Sequence, residues 1–131
     1  MINGMNALEV VTLFVEDLSA ARKFYEAVFG QTLVFEDPVS AAYRFDNLVI
    51  NLLQSTEAGE VVEPRPVAPA AAGTRMLLTI KVSNVDAICQ ALADQGVPLL
   101  NGPIDRPWGR RTAAFADPAG HVWEIAQDLQ I

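Results

Sequence analysis

The chain has 131 residues, a net charge of −7, and a composition that is 51% hydrophobic. That is enough for a domain with a real core, and no apolar run nears the ~18 residues of a membrane span. An acidic chain repels phosphate backbones, which argues against nucleic acid and favours a neutral or cationic ligand. One cysteine, Cys89, allows no internal disulfide and suits a reducing cytoplasm. The start, MINGMNALEV, lacks the basic and apolar regions of a signal peptide, so a cytoplasmic location is expected.

In chain order, residues 8–16 (LEVVTLFVE) predict a strand with Val11, Leu13 and Val15 on one face and Val10, Thr12 and Phe14 on the other. Asp17 suits an N-cap. Ala21, Phe24, Tyr25 and Val28 then recur at helical spacing, and Gly30 marks the stop. Strands are expected over 32–36, 41–45 and 48–54, separated by Asp37-Pro38 and Asp46-Asn47 turns. Residues 55–74, rich in Pro and Ala, predict an irregular linker.

The pattern then repeats. Shifting by 67 places Val10 on Leu77, Leu13 on Ile80, Val15 on Val82, Asp17 on Asn84 and Leu18 on Val85. Phe45 matches Phe115, Asn51 matches Glu124 and Gln54 matches Gln127. This is a duplicated β-α-β-β-β unit, with module 1 at about 8–54, the linker at 55–74 and module 2 at about 75–131. The fold class is α+β. Residues 106–127 end the second unit as strand, Asp117-Pro118-Ala119-Gly120 turn, strand. Each unit has one helix, so the sheet face of Val10, Thr12, Phe14, Leu77, Thr79 and Lys81 is left without helical cover. Glu124 interrupts an otherwise apolar strand and needs a partner, either a ligand or one of Arg110 and Arg111 nearby.

VTLFVEDLSAARKFYEAVFG near the start, WGRRTAAFADPAGHVWEIAQ near the end, and the duplication between them resemble the vicinal oxygen chelate superfamily. Its members include glyoxalase I, extradiol dioxygenases, fosfomycin-resistance enzymes and bleomycin-resistance proteins. The resemblance implies two βαβββ modules forming a curved mixed sheet with helices on one face, a ligand site on the concave face, and a homodimer. It also implies that metal-using relatives draw ligands from the positions of Val10, Asn51, Leu77 and Glu124. Of these only Glu124 is a good ligand. Iron sites of the facial-triad type want two His and a carboxylate, and this chain has one His, His121, on the strand face opposite Glu124. No metal and no other cofactor is expected.

The expected ligand-binding set is Val10, Thr12, Phe14, Asn51, Leu53, Leu77, Thr79 and Glu124, with Phe35, Tyr43 and Phe115 as walls and Trp108, Gly109 and Arg111 at the rim. Such an apolar and aromatic lining with few polar groups is that of a small-molecule pocket. No catalytic residue is assigned. The missing ligands and the WGRR segment are closest to the bleomycin-resistance branch, where a dimer sequesters an antibiotic without chemistry. The expected partner is a bulky, partly aromatic small molecule, with no nucleic acid and no membrane. The alternatives are a metal-dependent enzyme of the glyoxalase or dioxygenase type, or a metal-free lyase or isomerase using Glu124 as base.

Overall fold

The computed structural model describes residues 1–130. It contains two compact units, the first Met1–Pro69 and the second beginning at Ala70. Each holds one copy of the repeat.

The first unit runs β1 (Val10–Val15), α1 (Leu18–Val28), β2 (Thr32–Asp37), β3 (Ser40–Arg44), β4 (Val49–Gln54) and α2 (Ser55–Val62). Its mixed sheet has the order β1-β4-β3-β2, with β1 parallel to β4 and the remaining pairs antiparallel. The second unit opens with a 3-10 turn at Ala70–Ala72. It continues with β5 (Leu77–Lys81), α3 (Val85–Asp94), β6 (Leu99–Arg106), β7 (Arg110–Ala116) and β8 (Val122–Asp128). Its sheet has the matching order β5-β8-β7-β6.

Alternation decides which side of each strand is core. In β1, Leu13 and Val15 are buried while Val10 and Thr12 are exposed. Leu52, the cross-strand partner of Leu13, and Ile50, that of Val11, share the buried face, as do Tyr25 and Ala21 of α1. Each such large apolar side chain removed from water contributes roughly 1.5–3 kcal/mol. In the second unit Phe115, Trp123 and Ile125 are buried together with Val85 and Leu92 of α3.

Helix starts are set by the same two devices in both units. Asp17 Oδ1 accepts from Ala20 N at 3.1 Å, and Asn84 Oδ1 accepts from Ala87 N at 3.0 Å. These are N-cap bonds to the third helical residue. Gly30 and Gly96 end the helices at φ of 60° and 73°, the left-handed conformation that a side chain resists.

Two expectations are corrected. The stretch at 55–74 is not irregular throughout, because Ser55–Val62 forms α2 directly after β4, with Ala58 fully buried against the first unit. The prolines begin only at Pro64, so the composition of the whole stretch hid an eight-residue helix at its start. The match of Phe45 to Phe115 also shifts. Tyr43 pairs with Ile50 and Phe115 with Trp123, each one residue before the equivalent Asn51 and Glu124, so Tyr43 is the counterpart of Phe115.

Candidate functional site

The strand registers assemble a helix-free face on each unit. In the first, Thr12 lies beside Asn51, which lies beside Ala42, which lies beside Phe35. Val10 and Val49 sit one step toward the start of β1, and Phe14 and Leu53 one step beyond. Asn51 Nδ2 donates to Thr12 Oγ1 at 3.4 Å. Phe35 is 55% exposed, a large apolar surface left in water. A surface pocket of about 500 Å³ at the near end is bounded by Leu8, Val10, Arg44, Leu48 and Val49, among others.

In the second unit Thr79 lies beside Glu124 and Glu124 beside Ala114. Thr79 Oγ1 donates to Glu124 Oε1 at 3.0 Å. The duplication therefore places the same device in both modules: a threonine of the first strand joined to a polar residue of the last. Glu124 pairs with neither nearby arginine. Arg110 binds Asp128 at 2.9 Å, and Arg111 binds Asp86 at 2.9 Å and Asp105 at 3.0 Å.

Three expected site residues point to the other side. Tyr43 and Phe115 are 2% and 1% exposed and face the helices, as the pairing of Tyr43 with Ile50 and of Phe115 with Trp123 requires. They are core, not walls. Arg111 pairs in register with Gln127 and reaches Asp86 on α3, so it too belongs to the helix side. A one-residue step along a strand reverses the face, and this separates Arg110 from Arg111. Tyr43 donates to Glu26 Oε2 at 2.5 Å. Burial and this bond push the Tyr43 hydroxyl up to about 12. The same bond, with Arg22, holds the Glu26 carboxyl below its ordinary range.

Trp108 and Gly109 occupy the β6–β7 hairpin tip. Gly109 has φ of 85°, and its N–H donates to Arg106 O at 3.1 Å. Trp108 is 65% exposed, and the Arg106 guanidinium lies 5.7 Å from its ring centroid, within cation–π range. The sequence reading missed Arg106, Asn101 and Thr112. Thr112 lies two residues along β7 from Ala114 and so shares the Glu124 face, and Asn101 and Arg106 pair in register with Ala114 and Arg110 of that face. The period of two along β7 would have found Thr112, and Arg106 stands opposite Arg110 across the hairpin, but Asn101 reaches this face only through the register shifts of the β6–β7 ladder.

The four positions that the family resemblance implies for a metal do not suit one here. Val10 and Leu77 carry no donor atom, Asn51 offers one amide, and one oxygen of Glu124 already accepts from Thr79. Among the described residues no three His, Cys, Asp or Glu side chains are arranged to hold an ion. Burial, with Asp86, pushes the Cys89 thiol up and disfavours its thiolate. A larger pocket, about 770 Å³, lies at the start of α1, lined by Asp17, Arg22, Glu26 and others. Its arginine is already neutralised by Glu26 and Glu36, at 3.1 and 2.7 Å. No helix among the described residues is long and apolar enough to cross a membrane.

Residues 7–125 match the profile of the Glyoxalase/Bleomycin resistance protein/Dioxygenase superfamily. The uncharacterized protein YraH of Bacillus subtilis is 31% identical over 123 residues, covering 91% of this chain and 96% of that protein. A crystal structure of a glyoxalase/bleomycin resistance protein/dioxygenase from Nocardioides superposes with a TM-score of 0.87 at 23% identity, covering 98% of this chain and 87% of its own. That of a glyoxalase-related enzyme from Fulvimarina pelagi gives 0.80 at 28% identity, covering 95% and 89%.

Proposed function

Because the chain belongs to the glyoxalase/bleomycin resistance protein/dioxygenase superfamily, we propose that it is a member that binds a small molecule without a bound metal and without turning it over. The ligand is bulky and partly aromatic, and the role is sequestration of a drug or natural product by a homodimer. One observation carries this reading. At the two first-strand positions where metal-using relatives place a ligand, this chain has Val10 and Leu77, 42% and 51% exposed on helix-free sheet faces. Aliphatic side chains there bind no ion but offer apolar surface to a ligand.

Phe35 on the first unit's face and Trp108 at the second unit's hairpin tip each add an exposed ring suited to stacking on planar groups. Thr12 and Asn51 on the first unit's face, and Thr79 and Glu124 on the second's, supply the few polar groups that orient a ligand there. Tryptophan emission titrated with bleomycin-, mitomycin- and enediyne-type compounds should fall through Trp108 and lose this response in Trp108→Phe. No response to any of these compounds overturns sequestration of such drugs.

A second reading has one observation in its favour. Glu124 is a half-buried carboxylate whose Oε1 accepts from Thr79, and a carboxylate so placed could take a proton from a substrate. The Fulvimarina relative is described as an enzyme. Stoichiometric iron, nickel, zinc or manganese in the purified protein would favour a metal-dependent enzyme over both readings.

A further inference from the structure

One end of the second unit's helix-free face reverses the sign of the chain. Arg106 of β6 pairs in register with Arg110 of β7, and Arg110 with Asp128 of β8. Asp128 also binds Lys81 Nζ at 2.9 Å. Lys81 and Arg110 thus share one carboxylate and leave Arg106 beside them without an acidic partner among the described residues, in a protein of net charge −7. Like charges directly opposite on paired strands destabilise a sheet, so the Arg106–Arg110 pair calls for a reason.

Arg110 is neutralised by Asp128 at 2.9 Å. Arg106 is not neutralised. Its Nε donates to Thr112 Oγ1 at 3.0 Å and its Nη2 to Asn101 Oδ1 at 3.3 Å, both uncharged acceptors. Thr112 is 1% exposed, so the anchor is fixed in the sheet. Trp108 braces the guanidinium through its ring. Nη1 has no partner among the described residues, which leaves the Nη1–Nη2 edge, the fork that grips two oxygens at once, available.

We propose that Arg106, held by Thr112 and Asn101 and backed by Trp108, binds the carboxylate of an aromatic ligand. The inference rests on the small-molecule binding reading and gives its ligand a charge. The oxygens take the Arg106 fork, and the ring lies along the exposed indole. An acidic chain repels anions at long range, but contact with an arginine fork outweighs a field that salt screens beyond about 8–10 Å.

The test is calorimetric titration of the full chain with naphthalene-2-carboxylate, naphthalene-2-carboxamide and inorganic phosphate. The carboxylate should bind at least about tenfold more tightly than the amide, and Arg106→Gln should remove that preference. Arg106→Lys should restore it only in part, since an ammonium lacks the fork. Should Arg106→Gln fail to fold, added salt should still weaken the carboxylate several-fold on the parent chain while leaving the amide unchanged, and a carboxylate affinity indifferent to salt overturns the proposal. Equal binding of acid and amide overturns the carboxylate site while leaving small-molecule binding intact. Phosphate matching the carboxylate shows an oxyanion site with no aromatic selectivity and overturns the proposal as stated. Binding of none of the three at millimolar concentration overturns it as well, with the antibiotic titration deciding the broader reading separately.

Discussion

Gln127 Oε1 accepts the backbone N–H of Val85 at 2.8 Å, tying the end of β8 to the first residue of α3. Gln54 does the same for Leu18 of α1 at 3.1 Å. Gln54 also donates to Glu16 O, closing a bridge between the end of β1 and the start of α1. The first helical N–H has no partner inside its helix, and the N-cap side chain is occupied two residues further on. The last strand of each unit supplies the missing acceptor. It thereby fixes the helix on the sheet and leaves the opposite face open.

Gln127→Leu and Gln54→Leu should each destabilise the protein by about 1–3 kcal/mol, the cost of a part-buried donor without a partner. Glutamate at either position keeps an acceptor and should cost less. Urea unfolding followed by circular dichroism measures both. Leucine variants as stable as the parent would show that water replaces the glutamine oxygen without loss.

Gly102 allows β6 to run close against β7. A Cβ there would stand 2.4 Å from Thr112 O and 2.7 Å from Ala113 Cα, both backbone atoms, and φ is +89°. Gly102→Ala should therefore destabilise by about 2–4 kcal/mol, combining backbone strain with overpacking. The displaced strand carries Thr112, so the Arg106 anchor should loosen too, and the emission of Trp108 should change more than that of buried Trp123. A stable variant with unchanged emission would show that the two strands can separate freely.

The architecture was legible because it depends on features visible at short range. Alternation in 10–15, the Asp17 and Asn84 caps, and the Gly30 and Gly96 stops each act within a few residues, and the repeat read them twice. The faces of β1, β4, β5 and β8 followed from parity, so Val10, Thr12, Asn51, Leu77, Thr79 and Glu124 came out on the helix-free side. Parity failed where register was unknown. Tyr43, Phe115 and Arg111 lie on strands whose faces are fixed by pairing with Ile50, Trp123 and Gln127, and the turns that set this pairing differ in length between the units. Arg106 was missed for a related reason. Its partners Thr112 and Asn101 come together only through an irregular β6–β7 ladder, whose register shifts between Leu99 and Asn101 and again between Asn101 and Ile104.

The Tyr43–Glu26 bond predicts a two-sided pH dependence. Tyr43 is raised to about 12, above the roughly 10 of an unfolded tyrosine. Its stabilisation is whole below about pH 10 and disappears as pH rises through about 12. Glu26 is lowered, with Tyr43 the largest cause and Arg22 next. Its contribution is present above the unfolded carboxylate value near 4 and lost as pH falls through the depressed folded value. Asp37, bonded to Val39 N and Ser40 Oγ, and Asp128, paired with Lys81 and Arg110, act in the same acid direction. Tyr43→Phe should cost about 1 kcal/mol at neutral pH. It should also flatten the loss of stability above about pH 10 and soften, without removing, the loss below about pH 4. Urea midpoints across that range measure this, and limbs unchanged by the substitution would dissociate the bond from the titration.

The two tryptophans should differ sharply in accessibility. Trp108 is 65% exposed at the hairpin tip, while Trp123 is 3% exposed and packs on the helix side of β8 beside Phe115. Acrylamide should therefore quench only part of the emission, giving a downward-curving Stern–Volmer plot. Trp108→Phe should leave blue-shifted emission that resists the quencher. Arg106→Gln removes the guanidinium now 5.7 Å from the ring centroid and should make Trp108 easier to quench and shift its emission, with Trp123 unchanged. A Trp108→Phe protein that kept the quenchable component would put Trp123 in solvent and contradict the core assigned to the second unit. An Arg106→Gln protein quenched like the parent would show that the arginine does not cover the indole in solution.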